Sequence, residues 1–121
     1  MITRYFLDTN AIIYLVNGRL AFPLPEGKYS VSIITEIELL SFSGLSDEEE
    51  QRIRDLMLAL DRVQLSDTVR DLTIRLRRKN RLKLPDAIIA ASAMAQQAIL
   101  LTNDKAFASI DGLDCKELQL K

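Results

Sequence analysis

Four acidic residues spread along the chain, Asp8, Glu38, Asp86 and Asp104, are the candidates for chemistry, because the residue types that usually carry it are missing. There is no histidine, so neither a Ser-His-Asp nor a Cys-His arrangement can be assembled, and no imidazole is available as a metal ligand. A single cysteine, Cys115, excludes an internal disulfide and a multi-cysteine zinc site. Catalysis by this chain must therefore run on carboxylates, and clustered carboxylates favour hard divalent cations such as Mg2+ or Mn2+.

The first acid has the clearest setting. Tyr5-Phe6-Leu7 is bulky and apolar at successive positions, as in a parallel strand covered on both faces, and such strands present functional groups at their carboxyl ends. After Asp8-Thr9-Asn10 an apolar helical segment, Ala11 to Val16, closes at Asn17-Gly18. Asp8 thus stands at a strand-to-helix switch, where it is either a helix cap or a site residue. The last acid repeats the pattern: Ile99-Leu100-Leu101 reads as a buried strand running into Thr102-Asn103-Asp104.

Between them the chain alternates strand and helix signals. Residues 19–28 form a loop with two of the three prolines, and Leu20, Phe22 and Leu24 make it apolar, either to fold onto the core or to meet a second chain. Tyr29 to Ile34 reads as a strand, with Thr35 opening a helix in which Glu38 is either its capping-box partner or a site residue. Ser46-Asp47-Glu48-Glu49 carries a capping-box signature ahead of a helix whose Ile53, Leu56, Met57 and Leu60 share one face. Val63-Gln64-Leu65 reads as a short strand, Ser66 as a cap, and Val69, Leu72 and Leu76 as the buried face of the next helix.

Six of the nine residues from Arg75 to Lys83 are basic. They are either cations placed at a helix carboxyl end or a grip for phosphates, with Arg77, Arg78, Lys79 and Arg81 as its members. Leu84-Pro85-Asp86 then opens a helix with proline in its first turn, and Ala87 to Ala98 is apolar nearly all round, as in a helix buried on several sides. Lys105 to Ile110 is a short helix or turn, and Leu113 to Leu120 adds an edge strand that buries Cys115.

The 121 residues, 48% hydrophobic and 27% charged, support one domain over 1–121, and the net charge of −1 leaves no global field for a polyanion. No apolar stretch is long enough for a membrane span and no secretory leader opens the chain, so a cytoplasmic protein without membrane contact is expected. The element order describes a three-layer α/β/α domain around a mainly parallel sheet of four to five strands. In such a sheet the right-handed crossovers bring the carboxyl ends of parallel strands to one edge. Asp8 and Asp104 belong to that edge, as do the first turns bearing Glu38 and Asp86. Close carboxylates repel one another, and a divalent cation between them is the simplest relief.

Taken together, Phe6-Leu7-Asp8-Thr9-Asn10, Ser32 to Leu39, Leu84-Pro85-Asp86-Ala87-Ile88-Ile89-Ala90-Ala91 and Leu101-Thr102-Asn103-Asp104 resemble the PIN-domain ribonucleases. They are most similar to the small VapC-type toxins of bacterial and archaeal toxin–antitoxin pairs. The resemblance covers the chain in order and implies a PIN-like fold, Mg2+- or Mn2+-dependent hydrolysis of RNA, a homodimer, and a small antitoxin that lies over the acidic cleft. It implies that Asp8, Glu38, Asp86 and Asp104 are the catalytic metal ligands, with Asn10, Thr102 and Asn103 supporting them. Glu36 departs from the pattern by placing a second acid beside Glu38, and Gly44 stands later than the glycine often found in that motif. Two other readings remain: an aspartyl-phosphate protein, phosphatase or receiver-like, and a PIN-like binding module without activity.

Overall fold

The computed structural model describes Met1–Lys121 throughout. Its elements are β1 (Arg4–Leu7), α1 (Thr9–Val16), β2 (Lys28–Ser32), α2 (Ile33–Leu40), α3 (Asp47–Ala59), β3 (Asp61–Val63), α4 (Asp67–Lys79), α5 (Leu84–Ala95), β4 (Ile99–Leu101), a 3₁₀ turn (Lys105–Phe107) and β5 (Cys115–Lys116). The five strands form one sheet in the order β3-β2-β1-β4-β5, every pair parallel. From β1 the chain winds outward through β2 and β3, then returns to β1's other side for β4 and β5. The winding reverses between β1 and β4, and in open α/β sheets the crevice outside the strand ends at that reversal is where ligands bind.

Side chains on a strand alternate between faces, and β1 shows it. Phe6 joins the core built with α4 and α5, including Val69, Leu76, Ile89 and Leu100, while Tyr5 and Leu7 join Ala11, Ile12, Val31, Ile53 and Met57 on the opposite face. Helices cover both faces of the central strands, so β1 is apolar at each position after Arg4. In α5 the run Ala87 to Ala93 is buried throughout, as its small side chains require when a helix packs closely on its neighbours.

Several boundaries differ from the sequence reading. β2 stops at Ser32, whose hydroxyl accepts the Ile34 amide, so Ile33 and Ile34 belong to α2 and Thr35 lies inside the helix, fully buried. Glu38 is therefore not a capping-box partner of Thr35. β3 pairs over Asp61–Val63 rather than Val63–Leu65, and Leu65 is exposed. This strand pairs only with β2, and its pairing rather than its β-branched residues decides where it lies. The expected edge strand from Leu113 to Leu120 shrinks to Cys115–Lys116, and Leu120 instead forms an antiparallel bridge with Leu20. On so short an edge Cys115 is exposed rather than packed, although its thiol still reaches the Phe107 carbonyl.

The capping box at Ser46 and Glu49 forms as read, and Ser66 caps α4. In the 19–28 loop, Leu24 packs against the core under α1 and α3, whereas Phe22 stays 66% exposed. Gly27 is the loop's fixed point: a Cβ there would sit 2.5 Å from the Thr3 carbonyl oxygen and 2.9 Å from the Tyr5 ring, which stacks on Tyr29. Gly27→Ala is expected to lower unfolding stability by about 2 kcal/mol through this overpacking, read as a reduced urea midpoint at unchanged m-value. No helix is long and apolar enough to cross a membrane.

Candidate active site

Asp8 follows the last residue of β1 and caps α1. The pairing Leu7↔Leu101 places the next residues of the two strands side by side, and the Thr102 hydroxyl donates to Asp8 Oδ2 across that gap. Asp8 Oδ1 accepts the Ala11 amide at 2.7 Å. Asp8 is thus a helix cap, yet only 4% exposed, unlike a surface cap. Burial pushes its pKa up; the bonds from Thr102 and Ala11 oppose this, while the charges of Asp104 and Asp86 add to it. A carboxylate has about four acceptor positions, so each oxygen retains capacity after these two bonds.

Asp86 lies in the first turn of α5, a helix begun by Lys83 with no side-chain cap. It is half-buried, and its pKa is raised by burial, then by Asp104 and Glu38, with Lys83 alone acting downward. Asp104 is exposed past the end of β4. Its Oδ1 accepts the Ala106 amide at 2.9 Å, and its own amide donates to Thr102 Oγ1 at 3.0 Å. Glu38, in the last turns of α2, accepts the Thr9 hydroxyl on Oε1 at 2.8 Å. The charges of Asp104 and Asp86 act on Asp8 and those of Asp104 and Glu38 on Asp86, so the acids lie near one another along one edge. They do not close into a cage: no three acidic side chains lie close enough together to hold a metal ion among themselves. Hard-cation chemistry still fits the donors, since Mg2+ is commonly held by one or two carboxylates with water and substrate phosphate completing its shell.

The second acid of that motif is spoken for. Glu36 pairs with Arg62 on β3 at 2.9 Å, away from the Thr9–Glu38 contact, so of the two glutamates Glu38 is the one joined to the Asp8 turn. Of the supporting residues, Thr102 serves both Asp8 and Asp104. Asn103 instead clamps the C-terminal segment, donating to the Leu118 carbonyl at 3.0 Å and accepting its amide at 2.7 Å. Asn10 is exposed on the first turn of α1.

The basic residues Arg77, Arg78, Arg81 and Lys83 line an open concavity with Asn80 and Leu82, and Lys79 is exposed within the same run. The chain's four ion pairs involve Arg54, Arg62 and Arg70, so none of the cations in this run is held in an ion pair. Lys83 begins α5 and its charge acts on Asp86, so this cation stands beside the acids.

Two features escaped the sequence reading. Thr9 and Thr35 hydrogen-bond to one another at 3.0 Å beneath Glu38; the i to i+3 spacing of Thr35 and Glu38 on one helix face was the available signal. A groove of about 330 Å³ between α1, α2 and α3 opens beside Glu38 and Thr9, lined by Ile12, Ile13, Val16, Leu39 and Phe42. It is assembled from three helices, and nothing local in the sequence announces it.

A PIN domain family model matches residues 5–113. Among solved structures, a toxin–antitoxin complex from Klebsiella pneumoniae is 32% identical over 90% of this chain and 94% of that one, with a TM-score of 0.74. VapBC-1 from nontypeable Haemophilus influenzae is 25% identical over 95% and 98% of the two chains, with a TM-score of 0.76. VapBC2 from Rickettsia felis, bound to a DNA fragment from its promoter, is 21% identical over 97% and 100%, with a TM-score of 0.81. A search of curated proteins finds no match. The sheet order, the reversal beside Asp8 and these matches agree, and the chain belongs to the PIN domain family.

Proposed function

We propose that this chain is a metal-dependent endoribonuclease over residues 1–121, the toxin of a toxin–antitoxin pair, acting as a cytoplasmic homodimer. The observation that carries the reading is the pair Asp8 and Asp86, from the end of β1 and the first turn of α5, each raised in pKa by burial and by neighbouring acids, with Lys83 acting against the rise at Asp86 alone. Family membership and the similarity to toxin–antitoxin complexes support it. Asp8, Asp86, Asp104 and Glu38 would hold Mg2+ or Mn2+, which, when bound, activates water and offsets charge on the scissile phosphate.

The chain's own groups do the rest. Thr102 and the Ala11 amide fix Asp8, and burial keeps competing water from it. Asp104 Oδ2, the oxygen that the Ala106 bond leaves free, accepts the proton of the attacking water as the new P–O bond forms. The opposite P–O bond breaks, and the departing oxygen takes its proton from solvent. Arg77, Arg78, Lys79 and Arg81 hold phosphates of the flanking strand and set position without reading sequence. The antitoxin covers the acids from the α1–α2–α3 groove, where Phe42 is 66% exposed, and the 19–28 loop, where Phe22 is equally exposed, is a second contact for a partner chain.

Purified protein incubated with a mixed RNA pool is expected to cut it with Mg2+ or Mn2+ and to leave it intact with EDTA, as read by mapping new ends. A pool left whole with either cation would overturn the proposal.

A further inference from the structure

An exposed glutamate on a helix ordinarily samples several rotamers, and holding it in one costs entropy. Glu38 is exposed, yet its Oε1 accepts the Thr9 hydroxyl at 2.8 Å, and Thr9 Oγ1 stands 3.0 Å from Thr35 Oγ1. A threonine hydroxyl has one proton. Thr9 donates its proton to Glu38, so Thr35 must be the donor in the second bond. Thr35 is 0% exposed inside α2, where it has no water to turn to and β-branching restricts its χ1. The bonds therefore run in one direction, from the buried Thr35 through Thr9 to the acid, and each reinforces the next.

We infer that Thr9 is a positioning residue for Glu38, with Thr35 fixing the direction of its hydroxyl; this rests on the nuclease reading given above. Thr9 directly follows Asp8 on a turn already pinned through Ala11 and Thr102. One turn consequently sets both Asp8 and the carboxylate of α2, so the spacing between two acids from distant parts of the chain is fixed by a side chain that is itself no ligand. The bond uses one position on Oε1 and leaves Oε2 free for a cation or water. Orienting partners behind metal-binding side chains commonly govern affinity in this way.

The test compares Thr9→Val, which keeps shape and removes the hydroxyl, with Thr9→Ser, which keeps the hydroxyl, and with Thr35→Val. Thr9→Val should weaken Mn2+ binding in calorimetry by about 10- to 100-fold and lower kcat on RNA comparably, with KM little changed. Thr9→Ser should return both to near the wild-type values, and Thr35→Val should fall between. Side-chain 13C relaxation at Glu38 should report an ordered carboxylate in wild type and Thr9→Ser, and a disordered one in Thr9→Val. Glu38 equally ordered in wild type and Thr9→Val would overturn the inference alone, as would a Thr9→Ser variant as impaired as Thr9→Val. Wild-type protein that neither binds Mn2+ nor cuts RNA while Glu38 is ordered would overturn the nuclease reading, and this inference with it.

Discussion

Asp8→Asn should abolish RNA cleavage, lowering the rate by at least ~10³-fold, while the metal-free protein melts at a higher temperature than wild type at neutral pH. A loss of ~10³ corresponds to about 4 kcal/mol of transition-state stabilisation. It is expected because an amide cannot supply the negative charge that a divalent cation requires, although it has nearly the same shape. Asparagine can still accept the Ala11 amide through Oδ1, and its Nδ2 can donate to Thr102 Oγ1, so the cap and the strand-end contact survive. The rise in stability follows from the cost of the charge itself. Asp8 is buried with Asp104 and Asp86 acting on it, and both influences disfavour its ionised form. A group conserved in shape but neutral removes that burden. Retained Mg2+-dependent cleavage in Asp8→Asn, measured beside its melting curve, would remove Asp8 from the mechanism; a melting temperature below that of wild type would mean its charge supports the fold.

The residues that read most clearly in the sequence are those whose signals are local. Asp8 was placed at a strand end because Tyr5-Phe6-Leu7 has no polar face, and the structure buries all three. The order of strands and helices followed from hydrophobic periods and caps, and Ser46 and Ser66 cap their helices through the amides the motif predicts. Boundaries are missed where a bond outside the hydrophobic pattern decides them. Ile33 and Ile34 look like strand residues, but the Ser32 side chain ends the strand and starts α2 before them. The C-terminal strand was drawn too long because alternation there reflects separate attachments: Leu118 is held by Asn103 and Leu120 by Leu20.

The site divides along the same line. Glu36 and Glu38 are the same residue type on one short helix, and two positions apart they point to different sides of it. Arg62 takes one and Thr9 the other, and both partners lie 26 or more residues away in sequence. Likewise Thr102 is a plain strand-end residue until the Leu7↔Leu101 register sets it against Asp8. The quartet is legible from four short motifs, but that no three of these acids lie close enough to hold an ion among themselves is visible only in the folded chain.

Divalent cation should stabilise the wild-type protein strongly at neutral pH and hardly at all in acid. At a free Mn2+ concentration 100 times its dissociation constant, a ligand confined to the native state adds about 2.7 kcal/mol. For a chain of this size that is a rise of roughly 10 °C in Tm. The sign of the pH dependence follows from Asp8 and Asp86, whose native pKa values lie above the ordinary 3.8. Between that value and their native ones the folded protein binds more protons than the unfolded chain, so stability falls as pH rises. Their contribution is complete below about pH 3.8 and is lost as pH climbs through the raised native values. Glu49 works oppositely, since its capping bonds lower its pKa and favour folding above the usual glutamate range. The clean measurement is therefore a difference: melting curves of wild type and Asp8→Asn from pH 4 to 8, with Mn2+ and with EDTA. In EDTA wild type should lose more stability than the variant on going to pH 8. Adding Mn2+ should restore wild type and leave Asp8→Asn nearly unmoved, because the amide cannot supply the charge the cation needs; at pH 4 the wild-type response should shrink, because the cation must first displace the protons of the acids. Equal Mn2+ responses in the two proteins, or a wild-type response undiminished at pH 4, would show the ion bound elsewhere than among these carboxylates.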